Sequence, residues 1–156
     1  MKKKYYIVFI IILCLFDQLS KLLILKSFNV GESSILIKGF LKLYYIQNRG
    51  ISFGMFGSMR ILIIIFSLLI IGYMIYDFIK TNNKINILAD SLIISGAFGN
   101  LIDRIFRGYV IDFISFTLFK REMSIFNVAD SFITIGVILY IINILMEGKY
   151  ERIKNK

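Results

Sequence analysis

Four long apolar runs constrain the fold of this chain more than any other feature. They cover residues 5–25, 61–79, 85–106 and 126–146, and only a few charged residues interrupt them. A helix of about 20 apolar residues crosses the roughly 30 Å of bilayer hydrocarbon. Because 58% of the residues are hydrophobic, the sequence predicts an all-α membrane protein with four transmembrane helices. We expect residues 1–156 to form a single integral-membrane domain.

The basic residues indicate how these helices are oriented. Lysine and arginine cluster in the two tails and in the short loop at 80–84, beside the apolar runs. An even number of crossings places both termini on one side, and the side rich in lysine and arginine is the cytoplasm. We therefore expect cytoplasmic termini. The net charge of +9 is explained by this topology, so we expect no nucleic-acid partner.

The residue types that are missing narrow the possible chemistry. Histidine is absent and Cys14 is the only cysteine, which excludes Ser-His and Cys-His catalysis, histidine-ligated zinc and a disulfide within the chain. Carboxylates remain as proton-transferring groups. The start of the chain is similar to a signal peptide, but Leu13 is too bulky for a lipidation motif before Cys14 and no small-x-small cleavage site follows. We expect this segment to be a retained helix.

The two longer connections are expected on the extracytoplasmic side. They cover residues 26–60 and 107–125. Residues 35–46 are rich in β-branched and aromatic side chains, which favour strands, and the apolar stretches there are too short to span a bilayer. We therefore predict a small β-rich cap over the helices on that side.

Polar residues inside the apolar runs converge on the extracytoplasmic end of the predicted bundle. They are Asp17 with Lys21, Asn100 with Asp103, and Asn127 with Asp130. An aspartate within a membrane costs about 2.5 to 3.5 kcal/mol on insertion scales, so it is functional unless a structural partner is evident. Asp103 also continues a stripe of small residues at four-residue spacing, which predicts that it points into the bundle. That stripe consists of Ser91, Ser95 and Gly99.

Some of the carboxylates have a competing structural explanation. Asp17 can pair with Lys21 four residues later, either as a structural ion pair or at the rim of a site. Asp77 and Asp90 lie near the cytoplasmic ends of their helices, within reach of water and of nearby lysines. We predict structural roles for these last two, with Lys80 and Lys84 as the available cations.

Three other carboxylates are candidates for chemistry. Asp103 is followed by Arg104, which can neutralise it, whereas Asp112 lies among apolar residues without an adjacent cation. Asp130 begins the last helix, where the helix dipole stabilises a charge by about 0.3 to 1 kcal/mol, less than its burial costs. Two carboxyl groups held close together share one proton, so the ionised one can act as a base toward water. This arrangement is that of aspartic peptide hydrolysis, and the residues alone leave Asp103 as a rival to Asp112.

Five short motifs occur in a fixed order along the chain. They are DQLSK at 17–21, NRGISFG at 48–54, GAFGNLIDR at 96–104, GYVIDF at 108–113 and FNVAD at 126–130. Their order and spacing resemble those of the lipoprotein signal peptidases, or signal peptidase II, a family of membrane aspartic peptidases. The departures from the family pattern are mild, with Ser52 where alanine is frequent and Phe98 where leucine is, and neither touches an acid.

The resemblance implies roles for individual residues. By this likeness Asp112 and Asp130 form the catalytic dyad. The residues that hold the dyad would be Asn100, Asp103, Arg104 and Asn127, and those nearer the substrate would be Asp17, Lys21, Asn48 and Gly50.

The resemblance also implies a substrate and a location. The family removes signal peptides from bacterial prolipoproteins by cleaving just before a diacylglyceryl-modified cysteine. A chain of this kind would cross the bacterial cytoplasmic (inner) membrane several times, in contact with lipid, with its active site near the outer leaflet. We expect a monomer that needs no metal and no cofactor.

Two other functions fit clustered membrane aspartates. In a lipid phosphotransferase they would bind Mg²⁺ for phosphoryl transfer, and a chelator would then abolish activity. In a proton-coupled carrier they would relay protons across the membrane. A relay must continue to the cytoplasmic side, where only Asp77 and Asp90 could extend it.

Overall fold

The four apolar runs form four long helices. The computed structural model describes residues 3–50, 60–119 and 121–154. Within these ranges the helices are α1 (Lys3–Ser27), α2 (Arg60–Lys80), α3 (Lys84–Phe106) and α4 (Val128–Lys154). All four are long and apolar enough to cross a membrane. The predicted four-helix membrane fold is therefore confirmed.

The predicted start of the fourth helix was too early. Phe126 is not helical, because its backbone forms an antiparallel bridge with Ile114. The helix begins at Val128, after Asn127 has accepted a hydrogen bond from the Asp130 N–H. At its other end α4 continues to Lys154, beyond the predicted end at residue 146.

Both long connections contribute strands to one small sheet. The strands are β1 (Ser33–Ile37), β2 (Leu41–Asn48), β3 (Val110–Leu118) and β4 (Arg121–Glu122). They lie in the order β1-β2-β3-β4, with every neighbouring pair antiparallel. The β2–β3 register places Ile46 opposite Asp112 and Asn48 opposite Val110. The sheet therefore joins the α1–α2 connection to the α3–α4 connection at one end of the bundle.

The central helix of the bundle is α3, which packs against each of the other three helices. Its small-residue stripe is buried as predicted, with Ser91, Ser95 and Asp103 fully inaccessible. Its contact with α4 depends on two glycines. A methyl group on Gly96 would lie 2.3 Å from the Ala129 carbonyl oxygen, and one on Gly136 would lie 2.8 Å from the Ala89 carbonyl oxygen.

This close approach predicts that alanine destabilises the protein at position 96 but not at position 72. We expect Gly96→Ala to lower the free energy of unfolding by about 1 to 3 kcal/mol, because the added methyl group meets backbone that cannot move away. Gly72→Ala on α2 is the matched control, since no atom of the described residues lies within 4 Å of its added methyl group. That variant should be neutral or more stable by up to about 1 kcal/mol. Thermal unfolding of both variants in detergent micelles distinguishes these outcomes, and equal effects would contradict the packing.

Candidate active site

Asp112 lies on β3, where the sheet meets the ends of the helices. It is 2% exposed, and each of its carboxylate oxygens accepts a hydrogen bond from an amide. Asn48 on the neighbouring strand donates to Oδ2 at 2.8 Å, and Asn127 donates to Oδ1 at 2.7 Å. Because both donors are neutral, they hold the carboxyl group in place without supplying a compensating charge.

The ionisation of Asp112 is strongly perturbed. Burial raises the pKa of its carboxyl group to about 7, and the nearby Asp130 charge contributes in the same direction. Hydrogen bonds from Asn48 and Asn127 and the charge of Lys21 lower the pKa by smaller amounts. A carboxyl group in this environment can hold a proton near neutral pH and donate it to a bound carbonyl.

Asp130 lies in the first turn of α4, where it takes part in a reciprocal cap. Its Oδ2 accepts from the Asn127 N–H at 3.2 Å, and its own N–H donates to the Asn127 side chain at 3.0 Å. Its Oδ1 accepts from Asn100 on α3 at 2.8 Å. The carboxylate is thus fixed at the positive end of a helix by one backbone donor and one side-chain donor.

Two asparagines connect the two acids. The Asn127 amide nitrogen donates both to Asp112 and to the Asn100 side-chain oxygen, the latter at 3.1 Å. Asn100 in turn donates to Asp130 and accepts from the Lys21 ammonium at 3.1 Å. A change in the position of either amide would therefore move both carboxyl groups.

An ionic cluster lies beneath these asparagines. Lys21 pairs with Asp17 at 2.9 Å and with Asp103 at 3.0 Å, and all three side chains are fully buried. Arg107 forms a further ion pair with Asp103. Two cations thus balance two carboxylates, which is how charges are accommodated in a low-dielectric interior. Arg104, the adjacent cation, forms no ion pair with Asp103 among the described residues, where the ion-pair partners of Asp103 are Lys21 and Arg107.

Asp17 also supports the start of α4. Its Oδ1 accepts from the Ala129 N–H at 2.9 Å, so this carboxylate satisfies one of the free donors at the helix N-terminus. Gly99 makes room for it, because a methyl group there would lie 2.4 Å from Asp17 Oδ2. Three motifs therefore pack together here, through Asp17 of the first, Gly99 of the third and Ala129 of the fifth.

Arg104 and Gly50 lie at the edge of the site. Arg104 donates to the Gly50 carbonyl at 3.3 Å, and the Gly50 N–H donates to the Asn48 side chain at 3.0 Å. The second motif is thereby linked to Asp112 through Asn48. The remainder of that motif, at 51–54, lies outside the described residues.

A cavity of about 600 Å³ opens beside the two acids. Its polar wall contains both aspartates together with Asn48, Asn100 and Arg104. Its apolar wall comes from β3, from the segment before α4 and from α4, and includes Val110, Ile125, Phe126, Ile133 and Ile135. A cavity of this kind can hold an extended peptide with apolar side chains and present one backbone carbonyl to the acids.

The fold and the cavity together define a class of protein. A bundle of four membrane-length helices with two linked aspartates at a partly apolar cavity is suited to peptide hydrolysis by paired carboxyl groups. Within the described ranges, no group of three or more histidine, cysteine, aspartate or glutamate side chains is arranged to hold a metal ion. The class is that of the membrane aspartic peptidases.

Comparison with known proteins gives the family. The family model of signal peptidase (SPase) II matches residues 9–146. A lipoprotein signal peptidase of Fusobacterium nucleatum is 40% identical over 96% of this chain and 91% of its own length. One from Clostridium tetani is 43% identical over 93% and 95%. A solved structure of a bacterial membrane enzyme superposes with a TM-score of 0.86 at 35% identity, covering 93% of this chain and 90% of that one. The chain belongs to the signal peptidase II family.

This membership confirms the predicted enzyme class and does not favour the alternatives. The chain is an aspartic peptidase of the bacterial inner membrane that crosses it several times, rather than a lipid phosphotransferase or a proton-coupled carrier.

The structure brings most of the predicted site residues together. Five of them line the cavity: Asp112, Asp130, Asn48, Asn100 and Arg104. Asn127 connects the acids, and Gly50 lies at the edge. Asp17 and Lys21 are fully buried in the ionic cluster with Asp103, and none of these three lines the cavity.

Two residues of the cluster were not predicted. Arg107 pairs with Asp103 and donates to Gln18 at 3.0 Å. Gln18 in turn donates to the Gly99 carbonyl at 3.0 Å and to Asp103. The four-residue spacing from Asp103 to Arg107 was the available signal, because residues so spaced share a helix face whereas adjacent ones do not.

Proposed function

We propose that this chain removes signal peptides from prolipoproteins by cleaving just before a diacylglyceryl-modified cysteine, with Asp112 and Asp130 as the catalytic pair. The observation that carries the proposal is that both acids face one cavity and are joined through Asn100 and Asn127. The identity of the substrate is supported by the signal peptidase II family and by the lipoprotein signal peptidases that the chain matches.

The surroundings of the two acids favour different protonation states. Asp130 has a backbone donor, the positive end of α4 and an amide from Asn100 that is polarised by the Lys21 ammonium. Asp112 is more deeply buried, and its side-chain donors among the described residues, Asn48 and Asn127, are both neutral amides. We therefore assign the ionised role to Asp130 and the protonated role to Asp112.

These states support a direct hydrolytic mechanism. Asp130 accepts a proton from a water molecule as that water attacks the scissile carbonyl carbon. Asp112 donates its proton toward the carbonyl oxygen, which yields a tetrahedral gem-diol. Collapse of this intermediate returns a proton to the leaving nitrogen and restores the pair. All of these proton transfers stay within the two carboxyl groups, the water and the peptide.

The remaining predicted residues fall into two groups, those that line the cavity and those buried beneath it. Asn48 and Arg104 line the cavity, and we propose that they contact the bound peptide near Gly50. We propose that Asp17 and Lys21 act beneath the site by holding Asn100 and the start of α4, since they are fully buried.

Orientation in the membrane follows from the same proposal. The sheet and the acids lie at the end of the bundle opposite the short α2–α3 connection and its lysines. We propose that this end faces the outer leaflet and that both termini are cytoplasmic. The scissile bond of a translocated prolipoprotein would then lie at the depth of the cavity. We propose that the enzyme acts as a monomer in contact with membrane lipid.

A comparison of two substrates tests the proposed function. Purified enzyme is incubated with a prolipoprotein that carries the diacylglyceryl group and with the same protein whose cysteine is replaced by serine. We expect cleavage of the lipidated substrate alone, with the modified cysteine as the new N-terminus in the mass spectrum. Equal cleavage of both substrates, or cleavage at another bond, would contradict the proposal.

Cleavage should fall as the pH rises through about 7. The pKa of the Asp112 carboxyl group is raised to about 7, so its proton is present below that pH and is lost above it. Because the proposed mechanism needs this proton, kcat/KM should decrease by about tenfold per pH unit on the alkaline side. A profile that rises through this range would show that Asp112 acts when ionised.

Metal independence remains a prediction. The proposed pair needs only water, so activity should persist after dialysis against EDTA. The measurement is cleavage of the lipidated substrate before and after dialysis. Loss of activity with EDTA and its recovery with Mg²⁺ would contradict the peptidase mechanism.

A further inference from the structure

A second pair of carboxyl groups lies at the opposite end of the bundle. Tyr140 on α4 lies between Asp77 on α2 and Asp90 on α3. Its hydroxyl is 2.6 Å from Asp77 Oδ2 and makes a second hydrogen bond with Asp90 Oδ1. The sequence predicted partners among water, Lys80 and Lys84, but no salt bridge to either aspartate is found in the described part of the chain.

The Tyr140 hydroxyl makes two hydrogen bonds to carboxyl groups, which need two protons, but it carries only one. A tyrosine hydroxyl has one proton to donate, and an ionised carboxylate can only accept. Two ionised aspartates would therefore leave one of the two oxygen–oxygen contacts without a hydrogen. We infer that one carboxyl group of this cluster is protonated, so that the three side chains share two protons.

Two observations assign the extra proton to Asp90. Its side chain is 0% exposed, whereas Asp77 is only partly buried. In addition, the second oxygen of Asp90, Oδ2, is buried and has no hydrogen-bond partner among the described residues. An unpartnered oxygen is far more costly on a buried carboxylate than on a neutral carboxyl group. Asp90 thus donates through Oδ1 to the Tyr140 oxygen, and Tyr140 donates to the ionised Asp77.

Two other charged groups act on Asp90, namely Asp77 and Lys3. Lys3 lies on α1, and its ammonium donates to the Ile79 carbonyl at the end of α2 at 2.5 Å. The arrangement connects α2, α3 and α4 through hydrogen bonds at the end of the bundle remote from the catalytic pair. These hydrogen bonds between helices depend on the proton held by Asp90, and the peptidase reaction does not use them.

Infrared difference spectroscopy of the full-length enzyme in lipid nanodiscs tests the assignment. At neutral pH, the spectrum of the wild type minus that of Asp90→Asn should contain the C=O stretch of a protonated carboxyl group. The spectrum of the wild type minus that of Asp77→Asn should instead contain carboxylate bands. Carboxylate bands in the Asp90 difference, or a protonated band lost only with Asp77, would overturn the inference.

Thermal unfolding gives an independent measurement. Asn at position 90 is also a neutral donor, so Asp90→Asn should unfold close to the wild-type midpoint and keep its rate of prolipoprotein cleavage. Tyr140→Phe removes the shared hydroxyl, and its midpoint should fall by roughly 3 to 10 °C. If Asp90→Asn fails to fold, or loses as much stability as Tyr140→Phe, Asp90 is not the neutral partner and the inference is wrong.

Discussion

Asp112→Asn and Asp130→Asn are each expected to slow prolipoprotein cleavage by about 10² to 10⁴-fold while the enzyme remains folded. The amide keeps the size of the side chain but can neither accept a proton from water nor donate an acidic one. Asparagine at 112 also places an amide against the Asn48 and Asn127 donors, so rates must be normalised to folded protein. The measurement is single-turnover cleavage of a lipidated prolipoprotein in micelles.

Asp77→Asn is the matched control for these two variants. It makes the same chemical change in the same membrane bundle but at the end that lacks the cavity. Its cleavage rate should be nearly that of the wild type. A comparable loss in Asp77→Asn would show that removal of any bundle carboxylate impairs the enzyme, which the proposed dyad does not allow.

Lys21→Met is expected to have the largest effect on stability. Its ammonium is fully buried and pairs with Asp17 and Asp103. Within the described part of the chain, its removal leaves Asp17 without an ion-pair partner and Asp103 with Arg107 alone. Breaking a buried ion pair in this way costs about 3 to 5 kcal/mol. We expect a large decrease in folded yield and in the midpoint of chemical denaturation.

Lys42→Met provides the comparison for a surface pair. Lys42 contacts Glu122 at 2.7 Å, but the two side chains are 23% and 63% exposed. Removal of such a pair changes stability by about 0 to 1 kcal/mol. If Lys21→Met and Lys42→Met are equally mild, the buried cluster does not hold the site together.

The fold could be predicted from the sequence because the bilayer restricts the choices so strongly. An apolar run of sufficient length can satisfy its backbone hydrogen bonds in lipid only as a helix, so four runs gave four helices. The β-branched residues at 35–46 likewise identified a strand-rich segment. The register of the β2–β3 pairing was not predictable, because it joins segments more than sixty residues apart along the chain and shifts between Leu43 and Ile46.

The sequence predicted which residues form the site, but not which of them hydrogen-bond to one another. Spacing along a helix indicates which side chains share a face, yet it does not show which of them meet across helices. Asn100 and Asn127 could each be placed near an acid, whereas their mutual hydrogen bond follows only from the packing of α3 against α4. For the same reason Tyr140, within an apolar run, gave no sign that it bridges Asp77 and Asp90.

The most direct test of the catalytic pair is a double-mutant cycle on single-turnover cleavage of a lipidated prolipoprotein. Because Asp112 and Asp130 act on one water and one carbonyl, the double Asn variant should be scarcely slower than either single variant. Asp103→Asn weakens the ionic cluster beneath the site but leaves both catalytic acids in place. This variant should keep measurable turnover or show a lower amount of folded protein. An Asp112→Asn enzyme with most of the wild-type rate, together with a well-folded but inactive Asp103→Asn enzyme, would contradict this account and place the pair at Asp103 and Asp130.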